Sequence, residues 1–576
     1  MSRRWVTALA FALVTAGVAG CANVPESSPV QVLRQVSDGE DAHVPPGPVD
    51  GSNPLDLVRD FVFASGSSND EHGAARRFLA PEAAAWDDGA SLTVLDGQFD
   101  TVPAPGAADP SSGVTTIRIR GTAIGQVTTT GSFEPNQAVF QQDVTVVRRE
   151  GQWRIASLPP GVVIPMSIFR DNYRSVRTWF VDPVRRLAVA DLRYVPSVPA
   201  RAQAARVVEL LLAGPSGALL GAVGSQLPPG AQLRSNVTTG TDGAVVVDLT
   251  GLGDLDEPSR MLLATQVVLS LAEVNVARVR LLADGEPLVA NRPVLTRDDV
   301  AALHGEVQPG ADVPGLVVSA GRVRQLTGPD PGAPLPGAAG NGEYDVESAA
   351  SSGDGRRLAA VARDGNRRAL LVGGSDGAVA PVPLTAGSMT RPSWTPTGNE
   401  VWTVLDARVV ARVLVDASPP ARTAQVNADE LAALGPIADL RLSRDGMRVA
   451  AVVRGALYTG AVVRSIDGEV AIRNIRLLRP DDLGEVLAAD WRSTESIVAI
   501  TRGPERLVGQ VSVDGLAVQQ VLGNNLTPPL SAISAAANRP LLVSDMAGVW
   551  SFAGGDQAAW RQVLGGMPDG VPFYPG

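Results

Sequence analysis

Five stretches in the second half of the chain follow one pattern. "SSGDGRRLAAVARDG" from Ser351, "WTPTGNEVWTVLD" from Trp394, "LSRDGMRVAAVVRG" from Leu442, "WRSTESIVAITRG" from Trp491 and "AAANRPLLVSDMAG" from Ala535 each place a short polar turn before an apolar strand. Gly355, Gly398 and Gly446 mark the register at about 45 residues, and a period of that length built from short strands is the signature of a β-propeller. Radial repetition of four-stranded blades leaves few sheet edges open to unwanted pairing. Five blades are visible, and a sixth would form if "PGLVVSAGRVRQL" (314–326) closed on the C-terminus. The Asp445-Gly446 pair in the third copy suits a tight turn better than a metal site.

Upstream, the rhythm changes twice. Asn53 before Pro54 is a suitable N-cap, and "PLDLVRDFVFASG" has Leu57, Phe61 and Ala64 near helical spacing. "HGAARRFLAPEAAAWDDGA" adds two short helices broken at Pro81, after which "GVTTIRIRGTAIG", "QAVFQQDVTVVRREG" and "QWRIASLP" read as strands with glycine turns between them. Helices followed by a curved antiparallel sheet resemble the NTF2-like or cystatin-like α+β folds, here over residues 53–168. Trp86 and Trp153 are expected in its core.

From Ser175 a second unit begins. "RTWFVDPVRRLAVADLRYVPS" reads as an extended pair, and "ARAQAARVVELLLAGPS" as an amphipathic helix stopped at Gly214. "DGAVVVDLTG" is a strand, "DEPSRMLLATQVVLSLAEV" a second helix, and "VARVRLLADGEPL" a hairpin turning at Asp284-Gly285. The order of "ELLLAGPS", "LPPGAQL", "VVVDLTG" and "MLLATQVVLSLAEV" resembles a GerMN domain, a small α/β module, within residues 175–300. That module brings no established catalytic residues. Asp248 and Asp284, the exposed-looking acids of the unit, are explained by turns at strand ends.

Composition narrows the function classes. Across 576 residues the net charge is −11, which argues against a nucleic-acid binder with its basic face. There are three histidines, His43, His72 and His304, and one cysteine, so a four-ligand Cys/His zinc site is excluded. No zincin, nucleophile-elbow or P-loop pattern is present. "AGPSGA" (213–218) imitates the elbow, but it follows a helix and Ala218 stands where the last glycine belongs. Asp87-Asp88, Asp298-Asp299 and Asp481-Asp482 lie at polar turns or helix starts and read as capping or solvated carboxylates. The expectation is a protein with no catalytic, cofactor or metal site, and so no enzyme. A sugar-binding propeller mouth built on Trp394, Trp402 and Trp491 is the competing idea, and a polar cluster at the propeller axis would revive catalysis.

The lone cysteine has its own explanation. Arg3 and Arg4 precede "WVTALAFALVTAGVAG", an uncharged run shorter than the roughly 20 residues a membrane-spanning helix needs. The tetrad Val18-Ala19-Gly20-Cys21 resembles a bacterial lipobox. Residues 1–20 are then a lipoprotein signal peptide, and Cys21 becomes the N-palmitoyl, S-diacylglycerol first residue of the mature chain. Two acyl signals suffice for stable anchoring. Residues 21–52 are polar and proline-rich, expected to act as a flexible tether at the extracytoplasmic face of the cell membrane.

Lipobox, NTF2-like region, GerMN module and C-terminal propeller, in that order, resemble the LpqB family of actinobacterial lipoproteins. The resemblance implies a partner, the extracellular domain of an MtrB-like sensor histidine kinase of the MtrA–MtrB two-component system, and a role in cell-envelope homeostasis and division. The alternative is an envelope lipoprotein that binds glycan or peptidoglycan.

Overall fold

The computed structural model describes residues 45–197, 200–305, 314–327, 332–376, 378–415, 421–554 and 559–576. The signal peptide, Cys21, His43 and most of the expected tether lie outside them. Residues 45–52 already touch the first folded unit: Arg77 donates to the Pro45 carbonyl and Gln152 to Asp50.

In that first unit, helix α1 (Pro54–Ala64) starts where Asn53 Oδ1 accepts the Asp56 amide at 3.0 Å. The helical stretch α2 (Asn69–Arg76) opens with a left-handed turn at Asp70, Glu71 and His72. Strands β1 (Leu92–Pro103), β2 (Val114–Val127), β3 (Phe133–Arg149), β4 (Gln152–Ser157) and β5 (Val162–Pro165) form one sheet in the order β4-β3-β2-β1-β5. Bulges in the β1–β2 and β2–β3 pairings bend it over α1, and Phe61, Phe78, Trp86, Ile119, Phe133 and Trp153 fill the space between. Trp86 and Trp153 are core residues, as expected.

Helix α3 (Met166–Asn172) leads into the second unit. Its long hairpin, β6 (Tyr173–Val181) and β7 (Ala188–Pro196), is followed by α4 (Ala200–Leu212), which ends before Gly214 at φ +84°. A small sheet of β8 (Gln232–Leu233), β9 (Thr238–Thr239), β10 (Val245–Thr250), β11 (Val279–Ala283) and β12 (Glu286–Pro287) completes the unit, with β10 and β11 parallel. The crossover between them is α5 (Glu257–Ala272), in which every residue from Leu262 to Leu271 is buried. Its buried polar groups are satisfied: Ser270 Oγ accepts the Trp179 amide, and Gln266 Oε1 accepts that of Gln226. Short helix α6 (Arg297–Val300) carries a Thr296/Asp299 capping box.

The remaining chain is a six-bladed propeller. Blades 2 to 6 are four-stranded meanders over Asp345–Ala386, Ser393–Gln425, Ile437–Leu477, Val486–Val521 and Ala532–Gly565. Blade 1 joins both ends of the domain. Leu316–Ser319 pairs on one side with Arg322–Gln325 and on the other with the C-terminal strand Val571–Phe573. That last strand sits in the inner ring, between the first strands of blades 6 and 2, so the circle closes by hydrogen bonding. The sixth blade is formed by the segment whose sequence lacked a partner nearby.

Candidate functional site

The blades are stitched together by tryptophans that the sequence offered for a sugar site. Trp394 Nε1 donates to the Ala350 carbonyl of the preceding blade at 3.0 Å, and Trp491 Nε1 to the Arg441 carbonyl at 3.1 Å. Trp402 donates to Glu400, itself held by Arg464 and Arg412. All three rings are at most 2% exposed. They cannot stack on a sugar, so the glycan idea loses the residues that motivated it.

A polar cluster does lie at the axis. Arg391 Nη2 pairs with Asp490 Oδ2 at 3.0 Å and its Nη1 donates to Ile533 and Pro572 carbonyls. Arg441 donates to the Arg391 and Pro392 carbonyls and lies 3.6 Å from Asp439. Arg444 reaches the carbonyls of Ala535 and Pro575. Burial, with Arg391 beside it, pushes the Arg441 guanidinium down to about 10. Burial would raise the Asp490 carboxyl, but the three arginines outweigh it and hold it low. These groups tie the inner strands of the blades to one another through backbone carbonyls, the arrangement of a plug.

The other candidate residues are structural too. Ser216 of the imitation elbow is buried and hydrogen-bonds Asp191 through both amide and hydroxyl. Asp88 pairs with His72 Nδ1 at 2.7 Å and with Arg76, Asp87 caps the Gly89 amide, Asp299 closes the α6 capping box, and Asp482 pairs with Arg479. His304 packs against Trp179, with ring centroids 4.7 Å apart. Asp284 accepts from Thr250, in a hairpin with both turn residues at positive φ. Asp248 is not exposed: Arg234 pairs with it and the Gly285 amide donates to it from within the same sheet. No group of three metal-ligating side chains occurs among the described residues.

The seam between the three domains is where polar chemistry concentrates. The middle hairpin β6–β7 is its centre. On one side Arg193, fully buried, donates to the Thr130 carbonyl of the first domain at 2.5 Å, to Gly214 O at 2.8 Å and to Asp191 Oδ2 at 2.8 Å. On the other side the propeller arrives through blades 4 and 5. Arg448 Nη2 donates to Ala190 O at 2.7 Å, Arg185 reaches Asp445 O, and Tyr194 OH donates to Asp514 Oδ2 at 2.8 Å. Leu516, just beyond Asp514, is packed into the hydrophobic core of the first domain. Arg177 joins Glu273 at the end of α5, at 2.8 Å, to Glu495 of blade 5, at 3.4 Å. Burial pushes both Asp514 and Glu495 above the ordinary carboxyl range.

Beside these bonds the seam opens into a cleft of about 760 Å³. Phe169, Tyr173 and Tyr194 form one wall, with Phe169 and Tyr173 stacked at 5.0 Å. Gln510, Gln519 and three serines of blade 5 form the other. Arg174 also lines it, and its Nε and Nη2 are shut from solvent without an acceptor. The sequence reading named no residue of this cleft.

The comparisons follow the same three parts. Family models described as "Lipoprotein LpqB, N-terminal domain", "Sporulation and spore germination" and "Lipoprotein LpqB beta-propeller domain" match residues 47–170, 177–289 and 321–575. The chain is 32% identical to Lipoprotein LpqB of Rhodococcus opacus over 601 residues, covering 100% of this chain and 98% of that one. With Lipoprotein LpqB of Mycolicibacterium smegmatis it shares 30% identity over 597 residues, the whole of both chains. Among the described residues no helix is long and apolar enough to cross a membrane. Through these full-length matches, with the expected domains in the expected order, the chain belongs to the LpqB lipoprotein family.

Proposed function

We propose that the protein is held at the extracytoplasmic face of the cell membrane by acylated Cys21. There it acts without catalysis, as an accessory to the extracellular domain of an MtrB-like sensor kinase. The family resemblance supplies the partner. The observation that carries the mechanism is the seam: three domains joined through Arg193, Arg448 and Tyr194 can present their surfaces as one body. A lipid anchor confines that body to the plane of the kinase and raises its effective concentration there. Tuning the kinase requires tighter binding to one of its states than to the other. The axial plug and the capped carboxylates support a non-enzymatic role, since each candidate group is engaged by the fold.

Crosslinking in native membranes tests this. Wild-type protein is expected to capture the kinase, and Cys21→Ala to lose both membrane retention and capture. Retention of Cys21→Ala in washed membranes would overturn the anchor. Absence of the kinase from wild-type crosslinks would overturn the partner.

A further inference from the structure

The cleft at the seam contains groups that the fold leaves unanswered. Arg174 has two guanidinium nitrogens shut from solvent without an acceptor, and partial burial lowers its proton affinity. On the blade 5 side Ser496 Oγ has no hydrogen-bond partner, and Glu495 Oε1, ion-paired with Arg177 at 3.4 Å, accepts no hydrogen bond. Polar atoms shut from solvent without partners cost stability, and a ligand that supplies the partners recovers it. The unmet needs are specific: an anion for Arg174 and a hydrogen-bonding group for Ser496, while Glu495 has room to accept a donor beside its ion pair with Arg177. Around them stand an aromatic ring, Tyr173, and the amides of Gln510 and Gln519. The volume falls within the roughly 300–1,000 Å³ of small-molecule sites.

We infer that this cleft binds a carboxylated sugar, with the carboxylate on Arg174, ring hydroxyls on Ser496, Glu495 and the glutamines, and an apolar sugar face against Tyr173. The site is independent of the kinase reading and lies apart from the propeller mouth. An acidic peptide would share the carboxylate. It is disfavoured because the wall facing the rings is made of hydroxyls and amides, which match a polyol.

Calorimetric titration of the full-length chain in detergent micelles tests the inference, with N-acetylmuramic acid, glucuronic acid, N-acetylglucosamine and an acidic dipeptide as probes. Both acidic sugars are expected to bind, at least about tenfold more tightly than N-acetylglucosamine. Arg174→Gln should bring the acids down to the neutral sugar's affinity while melting no lower than wild type, because it removes enclosed nitrogens that lack acceptors. Gln510→Ala should weaken all three sugars together. The inference is overturned if the neutral sugar binds as well as the acids, if Arg174→Gln retains acid binding, if the dipeptide binds best, or if none binds at about 10 mM.

Discussion

Asp191 and Arg193 point from one face of β7 into the seam, with side chains 4% and 0% exposed. Consider Asp191→Ala. The Arg193 guanidinium stays buried and keeps two carbonyl acceptors but loses its only carboxylate. Breaking one side of a buried pair costs about 3–5 kcal/mol, because the remaining charge is uncompensated. The Ser216 amide and hydroxyl lose their acceptor as well. At about 2–4 °C per kcal/mol for a unit of this size, the transition containing the middle domain should fall by about 6–20 °C.

Arg193→Met strands less, since Asp191 keeps both Ser216 donors, but it frees the Thr130 and Gly214 carbonyls. The double variant, Asp191→Ala with Arg193→Met, removes both charges together. It should melt above Asp191→Ala, with a coupling of about 1–3 kcal/mol between the sites. Scanning calorimetry of wild type and the variants measures this, and amide exchange at Thr128–Ser132 reports whether the first domain loosens. If the two substitutions add without coupling, the pair is not the lock described, and the account of the seam fails.

Other expectations follow from single contacts. Trp491→Phe removes the indole bond to the Arg441 carbonyl and should cost about 1–3 kcal/mol, read as faster amide exchange in blades 4 and 5 ahead of the other blades. Burial would raise the Glu400 carboxyl, but Arg464, Trp402 and Arg412 hold it below its usual range, so its contribution is present above the unfolded carboxyl value near 4.3 and lost as pH falls through the folded one. Glu400→Gln should therefore lower the melting temperature at pH 7 and flatten its acid dependence, in a pH series of melts. Gly548 sits at φ +138°, where an added Cβ would meet the Leu564 carbonyl at 2.0 Å; Gly548→Ala should destabilise blade 6 by about 1–3 kcal/mol, seen as preferential proteolysis there.

Much of the architecture was legible because its signals are local. Each blade repeats a turn before a strand, so Gly355, Gly398 and Gly446 announce the period without knowledge of what packs above them. Closure of blade 1 was legible in part, since 314–326 offered two strands and no third. The seam was not, for a physical reason. Ser512-Val513-Asp514-Gly515 forms the same turn as Ser443-Arg444-Asp445-Gly446, each aspartate accepting from its serine at 2.5 Å. What sets Asp514 apart is Tyr194, 320 positions away, and no local pattern carries that. One signal was available. "ADLR" occurs at 190–193 and again at 438–441, placing opposite charges two residues apart in apolar strands. Strand alternation puts both on one face, and an ion pair there is buried; these are the pairs of the seam and of the axial plug.

The position of the cleft makes binding and domain order interdependent. Its walls come from the first domain's exit helix, the middle hairpin and blade 5, so a ligand that bridges the hairpin and blade 5 binds only their docked arrangement. Occupancy then adds its free energy to the seam. Reciprocity requires that any substitution which parts the hairpin from the propeller, such as Arg448→Met, weaken the ligand by the same factor by which the ligand strengthens docking. Asp514 and Glu495 add a pH dependence of known sign. Because burial raises both carboxyls, their contribution to docking is fully present below the unfolded carboxyl values and lost as pH rises through the folded ones. Acidification towards that range should therefore tighten the seam, whereas the Glu400 network in blade 3 weakens in still stronger acid. A cleft whose affinity was indifferent to Arg448→Met would be a surface feature of one domain, with no part in holding the hairpin to the propeller.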